Sequence, residues 1–399
     1  VGSEMCIRDS PSAALAWRMS EEDFLKGFEQ LSNLKLRISY GTTGNDAVDI
    51  YGTQSGISLK NYDFGGLTVP AYYKDRLANR ELSWEKTNEI NVGLDFGFFN
   101  SRINGAIDVY RRDAKDLIME RKLPSTSGWT SIWDNIGHVR NVGVELQLNT
   151  VNVQTKDFTW ETGFTFSKNH NELIELYGGK KDDVTNKWFI GELIDVNYDY
   201  VFDGIWQTDE AEQAAVYGQK PGQVKVRDID GNKVIDADDK QILGQRSPKW
   251  IGSLTSTFRY KDFDLSVYLY TQQGAQVQDA FMSSFMTFEG NYNQLDVDYW
   301  TENNPSNEFP QPGNRGQYYD AMRYIDVSFV RVGSITLGWN IPKEWTKKIG
   351  IKNARLYFTT NNPFTFSSYK GFDPEWATQN TWGTVTGYTT YLIGTKIEF

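Results

Sequence analysis

The densest group of potential ligand atoms in this sequence is DIDGNKVIDADD, residues 228–239. Asp228, Asp230, Asn232, Asp236 and Asp239 fall at positions 1, 3, 5, 9 and 12 of a twelve-residue loop. A hard cation such as calcium takes about six to eight oxygens from a flexible turn, and this spacing, with the Val234 carbonyl at position 7, supplies such a set. Two residues depart from the pattern. Lys233 stands where the sharp bend calls for Gly, and Asp239 is a shorter arm than the usual bidentate Glu. No helix pair is predicted on either side, so the competing reading is a hydrogen-bonded Asx turn. A structural calcium is the one ion the sequence offers, and no cofactor is expected to be required.

Catalytic chemistry finds little material. The two histidines, His138 and His170, have no nucleophile or ligand at useful spacing, and the neighbouring Asp182 and Asp183 sit in an acidic loop. No nucleophile elbow, phosphate loop or zinc motif is present. A net charge of −11 argues against a nucleic-acid partner, which would need concentrated Lys and Arg. The single cysteine, Cys6, excludes an intrachain disulfide. The sequence is not expected to be an enzyme.

The rest of the chain is dominated by apolar–polar alternation. Residues 88–98 place Ile90, Val92, Leu94, Phe96 and Phe98 on one face, and Glu89, Asn91, Gly93, Asp95 and Gly97 on the other. The same period recurs at 33–40, 102–112, 141–149, 157–168, 250–260, 263–273, 326–340, 352–360 and 387–399. Residues 11–19 read as the tail of one more strand. Crowding of Phe329, Val330 and Val332 predicts a bulge. Connections are short near 99–101, 150–157, 260–262 and 341–351, and long over 41–87, 113–140, 169–249, 274–325 and 361–386. One long connection should hold a small helix capped by Thr208, with Asp209 and Glu210 in its first turn and Gly218 and Pro221 ending it.

Alternation alone also suits a soluble β-sandwich with one wet face. Three features oppose that. Segments of about 9–11 residues match a tilted bilayer crossing, whereas soluble strands average about 5–6. The apolar faces are free of charge over most of their length, and the long connections fall on one side. The fold class is therefore all-β, an up-and-down antiparallel transmembrane barrel of the cell outer membrane with long extracellular loops. The final strand, YLIGTKIEF, ends on an aromatic that suits the membrane–water interface. Ten or eleven strands with two raw edges predict the C-terminal part of a larger barrel, running over 11–399. Residues 1–10, VGSEMCIRDS, match neither strand nor turn and read as a non-native leader.

The sequence resembles the SusC/RagA family of TonB-dependent transporters. The resemblance rests on ALAWRMSEEDF (14–24), LSNLKLRISYGTTGN (31–45), SWEKTNEINVGLDFGFFNSRI (83–103), VFDGIWQTDE (201–210), RDIDGNKVIDADDKQILG (227–244), FVRVGSITLGWNIPK (329–343) and NNPFTFSSYKGFDPEW (361–376). It implies a barrel of about 22 strands closed by an upstream plug. It also implies a SusD-like surface lipoprotein partner, energy from the TonB complex through a segment outside this chain, and oligosaccharide or peptide cargo. Loop aromatics Trp188, Trp206, Tyr292, Trp300, Tyr318, Tyr319, Trp376 and Trp382 could stack on sugar rings or pack loop on loop. The leading function is active import of oligomeric nutrients, oligosaccharides first. A secreted soluble protein that binds or degrades glycans, and a passive porin, are the alternatives.

Overall fold

Each alternating segment pairs with the next one along the chain. The computed structural model describes residues 10–46, 52–286, 294, 296–379 and 387–399. Its main sheet contains β1 (Ser12–Arg18), β2 (Leu31–Asn45), β3 (Glu85–Phe98), β4 (Ile103–Lys122), β5 (Ser131–Gln154) and β6 (Phe158–Leu176). It continues through β7 (Trp250–Tyr260), β8 (Phe263–Gln273), β9 (Phe329–Asn340), β10 (Asn353–Ser367) and β11 (Thr390–Glu398). The order of these eleven strands in the sheet is their order in the chain. Such a meander pairs interior backbone groups without any crossover, as a membrane-spanning sheet requires. No helix among the described residues is long and apolar enough to cross a membrane.

The chain packs as two units, whose boundaries cut through β4, β5 and β6. The first comprises Val1–Asn100, Ala106–Glu145 and Asn169–Ile194. Here Ala13, Tyr40 and Ile90 form one row across β1–β3, Leu15, Ile38 and Val92 the next, and Trp17, Leu36 and Leu94 a third. Ile90 and Val92 are 46% and 42% exposed. On the opposite face Arg37 reaches Asp95 at 2.8 Å and Asp108 at 2.9 Å. That bridge passes over Gly93, where a Cβ would lie 2.5 Å from the Asp108 carboxylate.

The second unit, Ser101–Gly105, Leu146–Lys168 and Asp195–Phe399, repeats the plan. Trp160, Phe258, Leu265, Leu337, Phe358 and Ile393 make one apolar row across six strands. Phe158, Tyr260, Phe263, Trp339 and Leu356 make another beside the short turns. The polar face again carries an Arg–Asp bridge over a glycine, Arg355 to Asp264 at 2.5 Å across Gly338. A soluble sandwich buries its strand rows and wets its connections. Here the rows are open and the buried apolar clusters sit in the connections and strand extensions: Val139, Leu173 and Leu176 in the first unit, Ile205, Val224, Phe281, Trp300 and Phe309 in the second.

Several boundaries differ from the sequence reading. β4, β5 and β6 run for 20, 24 and 19 residues, so most of the expected long loop at 113–140 is strand, and its connection is only 123–130. Charges there interrupt the apolar rhythm, yet the strands continue and pack Leu117 and Met119 against Val139, Leu173 and Leu176. The segment 41–87 contains a hairpin of Ile57–Phe64 with Leu67–Lys74. The small helix α1 (Ala211–Val216) follows a 3-10 turn at Thr208–Glu210 whose capping box is made by Gln207, not Thr208. Gly218, with φ +67, lies just beyond its end. The bulge is present, between Val332 and Ser334. Cys6 and residues 1–9 lie outside the described residues.

A lipid-soluble photolabel applied to the membrane-inserted protein is expected to mark Ile90, Val92, Phe358 and Ile393 and to spare the Arg37 and Asp264 rows. Mass-spectrometric mapping of the adducts reads this directly, and the inverse pattern would contradict the assigned lipid face.

Candidate functional site

Two short ribbons clamp the acidic loop. Val224–Val226 pairs with Phe202–Ile205 before it, and Lys240–Gln245 pairs with Val196–Tyr200 after it. Asp228, Asp230 and Asp239 converge, with carboxylate oxygens within 4.8 Å of one another, and Asp239 is fully buried. The other two expected ligands each commit an oxygen to the backbone. Asn232 Oδ1 accepts from Val234 N at 2.7 Å, and Asp236 Oδ1 accepts from Asp238 N at 2.8 Å, capping the turn Ala237–Asp239. Lys233 takes φ +66, so the sharp bend that the pattern assigns to Gly forms without one.

By donor type the three carboxylates fit a hard cation. All six of their oxygens also accept protein hydrogen bonds. Gly231 N donates to Asp228 Oδ1, while Lys233 N and the Tyr217 hydroxyl donate to Asp228 Oδ2. Asp230 accepts from Asn232 N and Nδ2, and Asp239 from Ile229 N and Asp236 N. Desolvation raises the Asp228 pKa, but the N–H groups of Lys233 and Gly231 outweigh it and hold the carboxyl below the usual range. The order this group lends the loop is therefore present above its unfolded pKa, about 3.9, and is lost as pH falls through the lowered folded value.

Each unit holds a water-type core in its connections. Trp206, Trp300 and Tyr319 are buried, and Trp188 and Tyr318 are partly buried against core clusters. These five aromatics pack loop on loop. Trp376 remains 45% exposed, and Tyr292 and Trp382 lie outside the described residues. A recess of about 400 Å³ lies among Met282, Met286, Phe309, Tyr369 and Lys370. His138 bonds Asp113 at 3.0 Å beside Arg140, and His170 is exposed. Asp182 accepts from Ile190 N and Asp183 from Asn186 N, so both carboxylates shape a turn.

One cluster escaped the sequence reading. Arg331 in β9 is buried, with only 4% of its side chain exposed, and holds Asp373 at 2.5 Å and Glu375 at 2.9 Å. Tyr270 and Thr365 also bond to it. The bulge places it there. Arg331 pairs with Tyr270, and beyond Gly333 the polar face continues through Ser334, Thr336 and Gly338. Without the extra residue Arg331 would share the lipid face with Ile335 and Leu337. The slipped alternation at 329–332 was the available signal.

A long-stranded antiparallel meander with one apolar face open, and its water-type core gathered in the connections, is the wall of an outer-membrane-type β-barrel. The chain belongs to the TonB dependent receptor-like, beta-barrel family, whose model matches residues 8–362. It is 32% identical to the TonB-dependent receptor SusC of Bacteroides thetaiotaomicron over 406 residues, covering 98% of this chain and 40% of that protein. It is 31% identical to TonB-dependent receptor P3 of Formosa agariphila, covering 92% and 38%. A solved structure of the RagAB peptide transporter superposes with TM-score 0.81 at 25% identity, over 97% of this chain and 43% of that one. The chain thus spans about two fifths of the length of these relatives.

Two substitutions probe the site. Asp239→Ala removes the acceptor of the Ile229 and Asp236 N–H groups and should cost about 0.5–1.5 kcal/mol for each hydrogen bond lost, read as faster amide exchange over 228–239. Arg331→Ala leaves two carboxylates facing each other and should destabilise the docking of 368–379 by about 3–5 kcal/mol, read as new protease cleavage in that segment while the sheet stays resistant.

Proposed function

We propose that the whole protein imports oligomeric nutrients across the outer membrane, driven by the TonB complex and working with a SusD-like surface lipoprotein, without chemistry on the cargo. The observation that carries this reading is the wall itself, apolar rows open to lipid on one face and Arg–Asp bridges on the other, in a chain of the TonB-dependent receptor family. Cargo arrives on the long-loop side, where Trp376 offers an exposed ring face and the Met-lined recess an apolar one. Oligosaccharide and peptide cargo both stay within the proposal. The ring suits a sugar, and a peptide transporter is among the structural neighbours.

In the native host, deletion of the gene should abolish uptake of the labelled oligomer, and a protonophore should do the same with the gene intact. Uptake that survives the protonophore would favour the passive porin, and release of the protein from washed outer membranes would favour the secreted alternative. Trp376→Ala should weaken half-saturation several-fold for an oligosaccharide and leave a peptide unaffected.

We also propose that Asp228, Asp230 and Asp239, with Asn232 and Asp236 at the rim, hold a structural calcium ion. The converging carboxylates and the bend at Lys233 support it. Calorimetric titration of the full-length protein should show calcium heat that Asp228→Ala and Asp236→Ala each reduce. No heat from the wild type removes the ion from the account.

A further inference from the structure

The connection from β9 to β10 is IPKEWTKKIGIK, residues 341–352. It carries the short helix α2 (Lys343–Thr346) and a 3-10 turn, Lys347–Ile349. Between 343 and 352 four lysines stand against one acid, Glu344, in a chain whose net charge is −11. Lys352 is held by Glu398 at 2.6 Å, and Asn353 bonds the same carboxylate. Lys343, Lys347 and Lys348 are exposed and form no ion pair within 4.0 Å among the described residues.

Trp345 ties this basic turn to the lipid face. Its ring is 56% exposed and meets Trp339 edge-on, with centroids 6.1 Å apart and planes at 86°. Trp339 stacks in turn on Phe263, and both belong to the apolar row beside the short turns. In the neighbouring turn, which also carries Asp262, the Lys261 ammonium lies 5.5 Å from the Tyr260 ring centroid. The greasy face therefore ends in aromatic rings with cations immediately beyond. That is the profile of a bilayer boundary, where rings sit at headgroup depth and ammonium groups meet phosphate.

We propose that the β9–β10 turn binds the phosphate headgroups of anionic phospholipid in the leaflet on the short-turn side, with Trp345 seated among the acyl-chain ends and Lys343, Lys347 and Lys348 holding the phosphates. A single exposed cation near a membrane surface is common. Three on one turn, beside an exposed indole in an otherwise acidic protein, make a selective site. The inference rests on the membrane reading above, and its test separates the two.

The full-length protein is reconstituted in bilayers containing brominated phosphatidylethanolamine or brominated phosphatidylglycerol. Quenching is read as the difference between wild type and W345F. Both lipids should quench Trp345, phosphatidylglycerol at lower mole fraction. That preference should fall about fivefold per lysine in K343Q, K347Q and K348Q, and should collapse in about 1 M salt. Equal quenching by both lipids overturns the headgroup site and leaves the membrane wall standing. No quenching by either overturns the wall at this edge as well. A preference shown only for lipopolysaccharide phosphates overturns the assignment of the leaflet.

Discussion

A backbone N–H or C=O that meets hydrocarbon without a partner costs several kcal/mol, on the order of an unmade hydrogen bond in an apolar solvent. That constraint organises this chain. A meander in which each strand pairs with the next satisfies it with the shortest connections, and strand order equals chain order throughout the eleven-stranded sheet. Once the backbone is paired, the outer side chains need only be apolar, and the rows mix Ile, Leu, Val, Phe and Trp with little regard to shape. The inner face must do the opposite and carry charge without leaving it uncompensated. It does so by reaching across a strand, Arg37 to Asp108 over Gly93 and Arg355 to Asp264 over Gly338. A side chain at either glycine would occupy the path of the bridge.

A strand that faces two solvents cannot tolerate a change of register, because one residue of slip exchanges its faces. β9 uses that rule. Its outer half presents Ile335 and Leu337 to the apolar rows, while the half nearer the long loops must offer Arg331 to the segment 368–379. The bulge at Gly333 reconciles the two demands. A Cβ there would lie 2.6 Å from the Tyr268 ring, so the close approach of the strands depends on glycine. The same rings then serve the latch, with Tyr270 bonded both to Arg331 and to Glu375.

The membrane-crossing portion of each strand was legible in the sequence because lipid imposes a single rule there. Residues 88–98, 250–260 and 263–273 alternate cleanly, and the strands found cover them. β4, β5 and β6 continue well past their alternating stretches, where charges such as Asp113, Asp116 and Glu120 stand beside a cluster of Val139, Leu173 and Leu176 and the simple period is lost. Loop aromatics were ambiguous for a related reason. Composition does not distinguish Trp300, inside a core, from Trp376, which stays exposed. The acidic loop shows both sides of the limit. Its spacing announced Asp228, Asp230 and Asp239 as well as Asn232 and Asp236, but not the diversion of those last two to the backbone N–H groups of Val234 and Asp238. Lys233 at φ +66 shows tertiary context overriding a residue preference. Arg331 was missed because its carboxylate partners lie more than forty residues downstream, in the chain's last long connection.

Two solvents imply two sources of stability in one polypeptide. The sheet gains little from its apolar rows in water, since they stay open, and becomes favourable when acyl chains replace water along them. The connections bury Ile205, Phe281, Trp300 and Phe309 against one another as a soluble domain does, and that gain is independent of lipid. Changes in the loops therefore act on loop order with the wall largely indifferent, and changes on the lipid face act on insertion with the loops largely indifferent. The exceptions are residues that belong to both, and Arg331 is the clearest. It is anchored in a strand by its backbone and in a loop by its charge. Such a residue ties loop order to strand register, and a buried ion pair does so over a short range and with a defined geometry.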